Sequence, residues 1–503
     1  MTDTIVTDVL ICGAGAAGLT LSIELARRGV AFRLIDSLDA PFPGSRGKGI
    51  QPRSQEIFED IGVLDKLVAI GGFYPQPRAY RPDGSYESAV SEPVVPASGE
   101  PYHLPLLVPQ FLTERILRAR LTELGGRLEF GRTLTGFEQD ADGVTVWLAC
   151  AAGTETVRAK YLIGADGGRS LVRHALNIGF PGRTLGVRAI VADVMLTGLG
   201  REAWHRFHES DLQRQISLCP LAGTPLFQLQ APIPLEGEAD LSVEGLAALV
   251  AARTGREDIA IQSVAWASAY SMNARLADRY RVGRVLLAGD AAHVHPPTGG
   301  QGLNTSVQDS YNLGWKLAAV IAGADDGLLD TYQEERRPVA AAMLGLSTKL
   351  LEAAGRGDSR RGREVQQLDI SYAGASLALE LPARSGGLAA GDRAPDAPIG
   401  KAAGQPGRLF QVFSGSHWTL LACETGGDAL PPRPGLHIHT VGPAGDLVDT
   451  DGHVRDAYGW QPGDLTLVRP DGYVGAIAGP DQAAALEVYL RRVGLAAEAV
   501  THG

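Results

Sequence analysis

The sequence predicts an α/β fold in which a parallel sheet is interrupted by an inserted antiparallel sheet and followed by a smaller region. An apolar run at residues 6–11 meets a glycine-rich turn, an apolar-periodic stretch to Gly29 and a second apolar run that ends at Asp36. This is the order strand, turn, helix, strand. Between 184 and 270 the pattern changes to short strand-like pieces broken by Gly and Pro, and strand, turn and helix then return at 285–322. Two halves of one parallel-sheet region therefore flank an insertion.

Length and composition limit the classes of protein that fit. The chain has 503 residues, which predicts about three domains. With 45% hydrophobic and 20% charged residues, it matches ordinary globular proteins. Its formal net charge of −11 argues against a nucleic-acid partner, because such proteins need a basic face. No signal-peptide pattern or membrane-length apolar stretch is visible, so we expect a cytoplasmic protein with no membrane contact.

The cysteines and the paired histidines do not indicate a metal centre. The four cysteines have no CxxC spacing, which disfavours a zinc site or a disulfide framework and predicts buried, reduced thiols. His293 and His295 lie two residues apart but have no third ligand nearby. The prolines and glycines that follow them have another explanation, given below. We therefore predict no metal site.

The first glycine-rich turn predicts a dinucleotide site. Gly13, Gly15 and Gly18 allow a tight turn, close approach of a phosphate and close helix packing, and Ala16 and Ala17 begin the helix whose free amides attract phosphate. The motif directly follows a strand, which makes it far more specific than a lone GxGxxG. Asp36 ends the second strand, where its carboxylate is placed to accept a ribose hydroxyl. A strand-end cap is the alternative role for Asp36.

A second constellation lies at 289–304 and again combines a strand end with a helix start. Asp290 is placed to bind a polyol chain, two prolines stiffen the loop, and the glycines allow backbone amides to meet a planar ring. The helix dipole would favour negative charge on that ring. The residues concerned are Asp290, Pro297, Gly300, Gly302, Leu303 and Asn304. A third strand–turn–helix run, 164–173, contains Asp166.

These three motifs, in this order and spacing, resemble the group A flavoprotein aromatic hydroxylases, single-component monooxygenases with the para-hydroxybenzoate hydroxylase fold. The resemblance spans about residues 5–350. It implies that Gly13, Gly15, Gly18 and Asp36 hold the ADP half of a noncovalent FAD, although the family usually has glutamate at the last position. It also implies that Asp290 contacts the ribityl chain and that 300–304 meets the pyrimidine end of the flavin.

The same resemblance assigns four further side chains to the cofactor. Pro297 would flank the reacting edge of the flavin, and Arg46 would lie near the flavin and the pyrophosphate. Gln110 would lie on the ribityl side, and Asp166 would be associated with both FAD and NAD(P)H. A solvated loop charge is the alternative for Arg46. For Asp166 the alternative is an N-cap to the helix that starts at Ser170.

The activity implied by this resemblance is hydroxylation of a phenolic or polycyclic aromatic substrate through a flavin C4a-hydroperoxide. NADPH or NADH would donate the electrons, binding transiently because the chain has only one GxGxxG. A polyketide or antibiotic-like substrate is favoured by similarity to the polyketide and phenol hydroxylase branch. The expected partners are this small substrate and molecular oxygen, with the protein a monomer or homodimer. A Baeyer–Villiger oxygenase or reductase is the alternative, and a non-enzymatic flavin-binding interaction protein is the second.

The resemblance also sets the predicted domains. They are a Rossmann-like FAD-binding domain in two parts, 1–183 and 276–390, the second including a helical linker; an antiparallel substrate sheet, 184–275, with contributions from about 75–105; and a C-terminal domain, 391–503. The last resembles the thioredoxin-like appendage of the same branch through residues 467–474, but lacks the CxxC pair that thioredoxin chemistry needs. Candidate substrate-binding residues are His205, Gln215 and Gln228.

Overall fold

A computed structural model describes residues 5–81, 83–88, 97, 99–209, 211, 213–354, 361–383, 386–401, 404–424 and 430–496. Part of the predicted 75–105 contribution, residues 82, 89–96 and 98, lies outside the described residues. The helices are α1 Ala16–Arg27, α2 Pro52–Asp60, α3 Leu64–Ile70, α4 Gln110–Glu123, α5 Leu171–Ala175, α6 Val243–Thr254, α7 Gly302–Ile321, α8 Asp330–Ala354, α9 Leu409–Phe413, α10 His453–Tyr458 and α11 Ala483–Arg492.

The strands fall into three large sheets and one small one. They are β1 Ile5–Cys12, β2 Phe32–Ile35, β3 Gly49–Ile50, β4 Gly72–Phe73, β5 Gln76–Tyr80, β6 Tyr86–Ser88, β7 Leu106–Leu107, β8 Leu128–Glu129, β9 Thr133–Gln139, β10 Val144–Cys150, β11 Gly153–Gly164, β12 Gly182–Thr197, β13 Ala203–Phe207, β14 Ile216–Pro220, β15 Phe227–Ile233, β16 Ala260–Leu276, β17 Arg281–Val282, β18 Val285–Leu287, β19 His293–Val294, β20 Leu379–Leu381, β21 Pro398–Gly400, β22 Pro406–Arg408, β23 Trp418–Cys423, β24 Leu436–Gly442, β25 Leu447–Val448, β26 Leu465–Val468 and β27 Val474–Ala478.

The first sheet has a parallel centre in the order β18-β11-β1-β2-β8, with β17 and the β9–β10 hairpin pairing antiparallel. Residues 9–12 of β1 are buried in the largest hydrophobic core, because helices cover both faces of a parallel sheet. Strands β1 and β18 come from opposite ends of the interrupted region and flank β11. The predicted α/β fold with an insertion is confirmed.

The inserted region forms the second sheet, in the order β19-β16-β12-β15-β14-β13-β5-β6. Successive side chains along its strands point to opposite faces, and one of these faces packs on α6 through Leu246 and Val250. The opposite face carries Asp193 and Gln228, which pair directly across β12 and β15. This second face is turned towards the segment that follows β2, as the contacts of Ser45 show.

The third sheet has the order β20-β27-β26-β23-β24-β25-β21-β22. Its hydrophobic core includes Trp315 of α7 and Leu328, and the Trp315 ring meets that of Trp418 edge-on at 5.3 Å. The C-terminal region therefore shares a core with the first region rather than standing apart from it. The exact domain boundaries and the likeness of this region to thioredoxin stay predictions.

Two local features differ from the sequence pattern. The apolar periodicity over 54–69 predicts one helix, but α2 ends at Asp60 and α3 begins at Leu64. Gly62 lies between them with φ +76°, a conformation that interrupts a helix. Cys150 is only partly buried, unlike the other three thiols. Within the described ranges, no helix is long and apolar enough to cross a membrane.

Candidate functional site

Three turns meet at the carboxyl edge of the parallel sheet. They follow β1, β11 and β18, which are neighbours in the sheet. Backbone hydrogen bonds tie them in a row, because Ala165 N donates to Cys12 O at 2.8 Å and Ala288 N donates to Gly164 O at 2.9 Å. Ligands of open α/β sheets bind at this edge. All three sequence motifs therefore converge on one cleft.

The glycines of the first turn are required by close contacts. Gly13 has φ +104°, and a Cβ there would overlap the carbonyl oxygen of Ala165. A Cβ on Gly18 would overlap the carbonyl oxygen of Gly13. Gly15 differs, since its nearest neighbour would be Glu114 Oε1 at 3.9 Å. No side chain caps α1, so the amides of its first turn, which starts at Ala16 and Ala17, are free to bind an anion beside Gly15.

Asp36 holds the first turn together. Its Oδ2 accepts a hydrogen bond from Ala14 N at 2.8 Å, and its Oδ1 accepts one from Leu38 N at 2.9 Å. The strand-end role weighed for this residue is therefore present. A carboxylate has further lone pairs, so the ribose contact stays a prediction.

Asp290 is the carboxylate at the start of the third turn. Its side chain is exposed although protein surrounds it closely, the arrangement of a group that lines a cleft. This enclosure raises the pKa of the Asp290 carboxyl, while His293 and Arg46 act in the opposite direction. An accessible carboxylate in such surroundings is suited to accept hydrogen bonds from a polyol.

The N-terminus of α7 forms the other wall of the cleft. No side chain caps this helix, and a Cβ on Gly302 would meet nothing within 4 Å. Asn304 anchors the facing segment, since its Oδ1 accepts from Gln51 N at 2.8 Å and its Nδ2 donates to Gly49 O at 2.9 Å. Three more predicted residues line this end: Pro297 and Gly300 are exposed, and Leu303 is half-buried.

Gln110 and Arg46 lie at the same end of the cleft. Gln110 is the first residue of α4, and its Oε1 accepts a hydrogen bond from Gly47 N at 3.1 Å. Its Nε2 donates to Glu114 Oε1 at 2.8 Å. Arg46 is exposed, with its guanidinium 4.9 Å from the centre of the Phe42 ring. The solvated alternative for Arg46 stays open beside its predicted cofactor contact.

Sequence reasoning missed Glu114, a buried acid near the glycine turn. Burial raises the pKa of its carboxyl, and the hydrogen bond from Gln110 lowers it. Its position four residues after Gln110 places both on one face of α4. That spacing was the available signal.

Asp166 retains one unused acceptor. Its Oδ2 accepts from Val172 N at 3.1 Å, whereas its Oδ1 is buried and has no partner among the described residues. The N-cap of α5 is Ser170, whose hydroxyl accepts from Arg173 N at 2.9 Å. Ser170 therefore takes the N-cap position itself, while Asp166 accepts from a second free amide in the first turn of α5. Buried polar atoms normally have partners, so the free Oδ1 is suited to a ligand.

Sequence reasoning also missed a buried group of hydrogen-bonded side chains behind the third turn. His293 Nε2 lies 2.6 Å from Asp309 Oδ2, and Arg336 Nε donates to Asp309 Oδ1 at 2.8 Å. His295 Nε2 lies 3.0 Å from His293 Nδ1. Burial raises the pKa of Asp309, but His293 and Arg336 outweigh it and hold that pKa below its usual value. The two histidines thus support the turn that carries Asp290, since Gly289 N also donates to Asp309.

The three candidate substrate residues do not come together. Gln228 faces the segment after β2, but His205 lies on the opposite face of the sheet, bonded to Tyr80 Oη at 2.8 Å and Gly200 O at 2.7 Å. Burial lowers the pKa of His205. Gln215 precedes β14, and its carbonyl accepts from Arg253 of α6 at 2.8 Å. His205 is therefore separated by the sheet from the cleft edge that Gln228 adjoins.

The cleft fits FAD. It offers two uncapped helix N-termini with glycines at open positions, an accessible carboxylate in Asp290 and an unpartnered acceptor in Asp166. The α1 N-terminus suits the phosphates of a flavin dinucleotide, Asp290 suits its polyol, and the α7 N-terminus suits its ring.

Comparison with known proteins agrees with this geometry. Residues 6–347 match the family described as FAD binding domain. A flavin-dependent monooxygenase of Mycobacteroides abscessus is 43% identical over 93% of this chain and 96% of its own. A 12-dehydrotetracycline 5-monooxygenase/anhydrotetracycline 6-monooxygenase of Streptomyces rimosus subsp. rimosus is 34% identical over 94% and 96%. The crystal structure of aklavinone-11 hydroxylase with FAD and aklavinone has a TM-score of 0.82 and 30% identity, covering 98% of this chain and 99% of that one.

The chain therefore belongs to this FAD-binding family and is a flavin-dependent monooxygenase. The predicted resemblance and the predicted FAD cofactor are confirmed. The non-enzymatic alternative is set aside.

Proposed function

We propose that this flavin-dependent monooxygenase hydroxylates a phenolic, polycyclic aromatic substrate of the polyketide or antibiotic type, with NADPH or NADH as the electron donor. Two of the similar proteins are named for anhydrotetracycline and aklavinone, and the match extends over nearly the whole of each chain. The inserted sheet is part of the matched length. Its match supports a substrate of the same class.

The observation that carries this proposal is the position of the cleft next to the inserted sheet. Asn304 and Gln110, the predicted flavin contacts, both hydrogen-bond to segment 45–49, and Ser45 of that segment hydrogen-bonds to the sheet. When bound, FAD supplies hydride acceptance from the nicotinamide and activation of oxygen. The protein holds the phosphates on the amides of α1 and the polyol on Asp290. It also presents the α7 N-terminus, whose dipole favours negative charge on the ring.

The inner face of the sheet supplies the substrate wall. Gln230 and Ser217 pair across β15 and β14 on the same face as Gln228, and Tyr270 pairs with Ala189 further along. Burial raises the pKa of Tyr270 to about 12, which keeps its hydroxyl protonated and able to donate a hydrogen bond. A wall that mixes amide, hydroxyl and apolar groups suits a flat molecule with several oxygen substituents. Closing such a wall over the ring would exclude water.

The test is steady-state oxidation of NADPH and of NADH by the purified FAD-loaded protein. Anhydrotetracycline and aklavinone serve as probes, and oxygen uptake and product structure are measured in parallel. We expect a probe to accelerate NAD(P)H oxidation and to gain one hydroxyl on an aromatic carbon. A ring-inserted oxygen would indicate the Baeyer–Villiger alternative, and a reduced product without added oxygen would indicate a reductase. The cytoplasm, which supplies NAD(P)H, is the proposed location.

A further inference from the structure

Five side chains form a row across the inserted sheet, perpendicular to its strands. Asp193 of β12 pairs with Gln228 of β15 on one side and with Trp266 of β16 on the other. Gln228 pairs in turn with Cys219 of β14. The pairing of His205 with Leu218 places Trp204 of β13 beside Cys219. Residues paired in this way share one face of a sheet, and here it is the face opposite α6.

Residues 44–48 lie across this row. A Cβ on Gly44 would overlap the Trp266 ring. Ser45 N donates to Asp193 Oδ2 at 2.7 Å, and the Ser45 hydroxyl donates to Asp193 Oδ1. Lys48 Nζ donates to Gln228 Oε1 at 2.7 Å. It also lies 4.5 Å from the centre of the Trp204 ring, within cation–π range.

These contacts form one directional chain of hydrogen bonds. Lys48 donates to Gln228, Gln228 Nε2 donates to Ser45 Oγ at 3.0 Å, and Ser45 donates to Asp193. An ammonium thus lies at one end and a carboxylate at the other, and each bond polarises the next. Lys48 is 9% exposed and Asp193 is 0% exposed. Neither has an ion-pair partner within 4.0 Å among the described residues. Burial lowers the pKa of Lys48 and raises that of Asp193, and the charge of each group acts against this effect on the other.

The other side of the same segment faces the cleft. Gln110 N donates to Gly47 O at 2.9 Å, and Gly47 N donates to Gln110 Oε1 at 3.1 Å. Gly49 O accepts from Asn304 Nδ2 at 2.9 Å. Gln110 and Asn304 are both among the residues predicted to contact the flavin. Segment 45–49 is therefore held between the cofactor wall and the substrate sheet.

We propose that Lys48, Gln228, Ser45 and Asp193 are positioning residues that fix segment 45–49, and through it the flavin wall, on the substrate sheet. The proposal rests on the predicted flavin contacts of Gln110 and Asn304. It gives Gln228 a role different from substrate binding, because both ends of its amide are engaged within the chain. Loss of either charged end leaves the other buried and uncompensated. The segment should then shift and weaken the site that it borders.

The first test is the dissociation constant for FAD, measured by flavin fluorescence on apoprotein titrated with FAD. We expect Lys48→Met and Asp193→Asn each to weaken binding by about tenfold. Lys66→Met is the matched control, since it makes the same substitution at an exposed lysine whose ion-pair partner, Glu123, is also exposed. Leu229→Ala is the second control, because Leu229 is buried on the α6 face. It should lower the melting temperature without weakening FAD binding.

The decisive measurement is the double variant Lys48→Met/Asp193→Asn. Coupling through the chain predicts a loss close to that of one single variant, about tenfold rather than about a hundredfold. Multiplicative losses, or single variants that bind FAD as the wild type does, would overturn the proposal. If Lys48→Met is insoluble, Ser45→Ala replaces it in both the single and the double variant, because Ser45 is part of the same chain of hydrogen bonds. Lys48→Arg keeps the positive charge and is expected to retain FAD affinity. FAD affinity is read without substrate, so a failure of the proposed hydroxylation would leave this test intact.

Discussion

Arg469 joins the C-terminal region to the flavin-binding region through a buried charge network. Its guanidinium forms a two-pronged ion pair with Glu335 of α8, at 2.6 and 2.9 Å. It forms a second one with Asp471, at 2.6 and 2.9 Å. All three side chains are within 1% of complete burial. We expect Arg469→Met, which keeps much of the volume but removes the charge, to destabilise the whole chain.

The magnitude follows from what the substitution leaves behind. Glu335 would keep Lys316 at 2.6 Å. Among the described residues, Asp471 would keep only neutral side-chain donors, the indole of Trp315 at 3.0 Å and the amide of Asn312 at 3.1 Å. One lysine would then remain for two buried carboxylates, and it contacts only Glu335 of the two. Removing one partner from a buried, hydrogen-bonded charge pair costs about 3–5 kcal/mol, far more than an exposed pair contributes.

The assay is urea unfolding of the FAD-loaded protein, followed by tryptophan fluorescence and by flavin release. The control is Lys66→Met, which removes a solvent-exposed ion pair with Glu123 and should leave the unfolding midpoint unchanged. A loss of less than about 1 kcal/mol in Arg469→Met would refute the reasoning. So would an unfolding curve in which only the C-terminal region separates, because the shared core predicts a joint transition.

Three further predictions concern the cofactor carboxylate, a thiol and acid stability. Asp290→Ala should weaken FAD binding by about 1.5–3 kcal/mol, the value of hydrogen bonds to a charged group, without loss of fold; unchanged affinity in a fluorescence titration would argue against the polyol contact. Cys423→Ser should leave NAD(P)H turnover per bound FAD unchanged, because burial raises the pKa of this isolated thiol to about 11 and keeps it unreactive; lost hydroxylation with normal FAD content would contradict that. Arg469 and Lys316 outweigh burial and lower the pKa of Glu335 to about 2. Since its unfolded value is near 4.5, the stability from this group is present at neutral pH and lost as the pH falls from about 4.5 to about 2; a Glu335→Gln variant with the wild-type slope of unfolding free energy over that range would refute this.

The sequence predicted those parts of the site whose signals are local. Gly13, Gly18, Asp36 and Asp290 each stand next to the strand that positions them, so residue type and spacing were sufficient to place them at the strand ends; their cofactor contacts stay predictions. The chain from Lys48 to Gln228 joins residues 180 positions apart, and the pair Arg469–Glu335 joins residues 134 positions apart. Residue type and spacing do not indicate contacts between residues so far apart in the sequence.

Sheet faces explain the remaining differences. His205 and Gln228 look equivalent as polar residues in a strand-rich stretch, but the pairing of their strands places them on opposite faces. Strand register sets the face of every residue, and register between distant strands is not visible in composition or spacing. The division of the predicted 54–69 helix into α2 and α3 has a local cause instead, since a single left-handed glycine, Gly62, interrupts an otherwise continuous apolar pattern.

The most direct test of the account is a single turnover under isotopically heavy oxygen gas. Purified protein with bound FAD is mixed with NADPH and a polycyclic phenol such as anhydrotetracycline or aklavinone, and the product is examined by mass spectrometry and NMR. We predict one heavy oxygen atom in the product, present as a new hydroxyl on an aromatic carbon, and dependence on FAD. Oxygen that derives from water, or NADPH oxidation that yields only hydrogen peroxide with every polycyclic phenol tried, would contradict it.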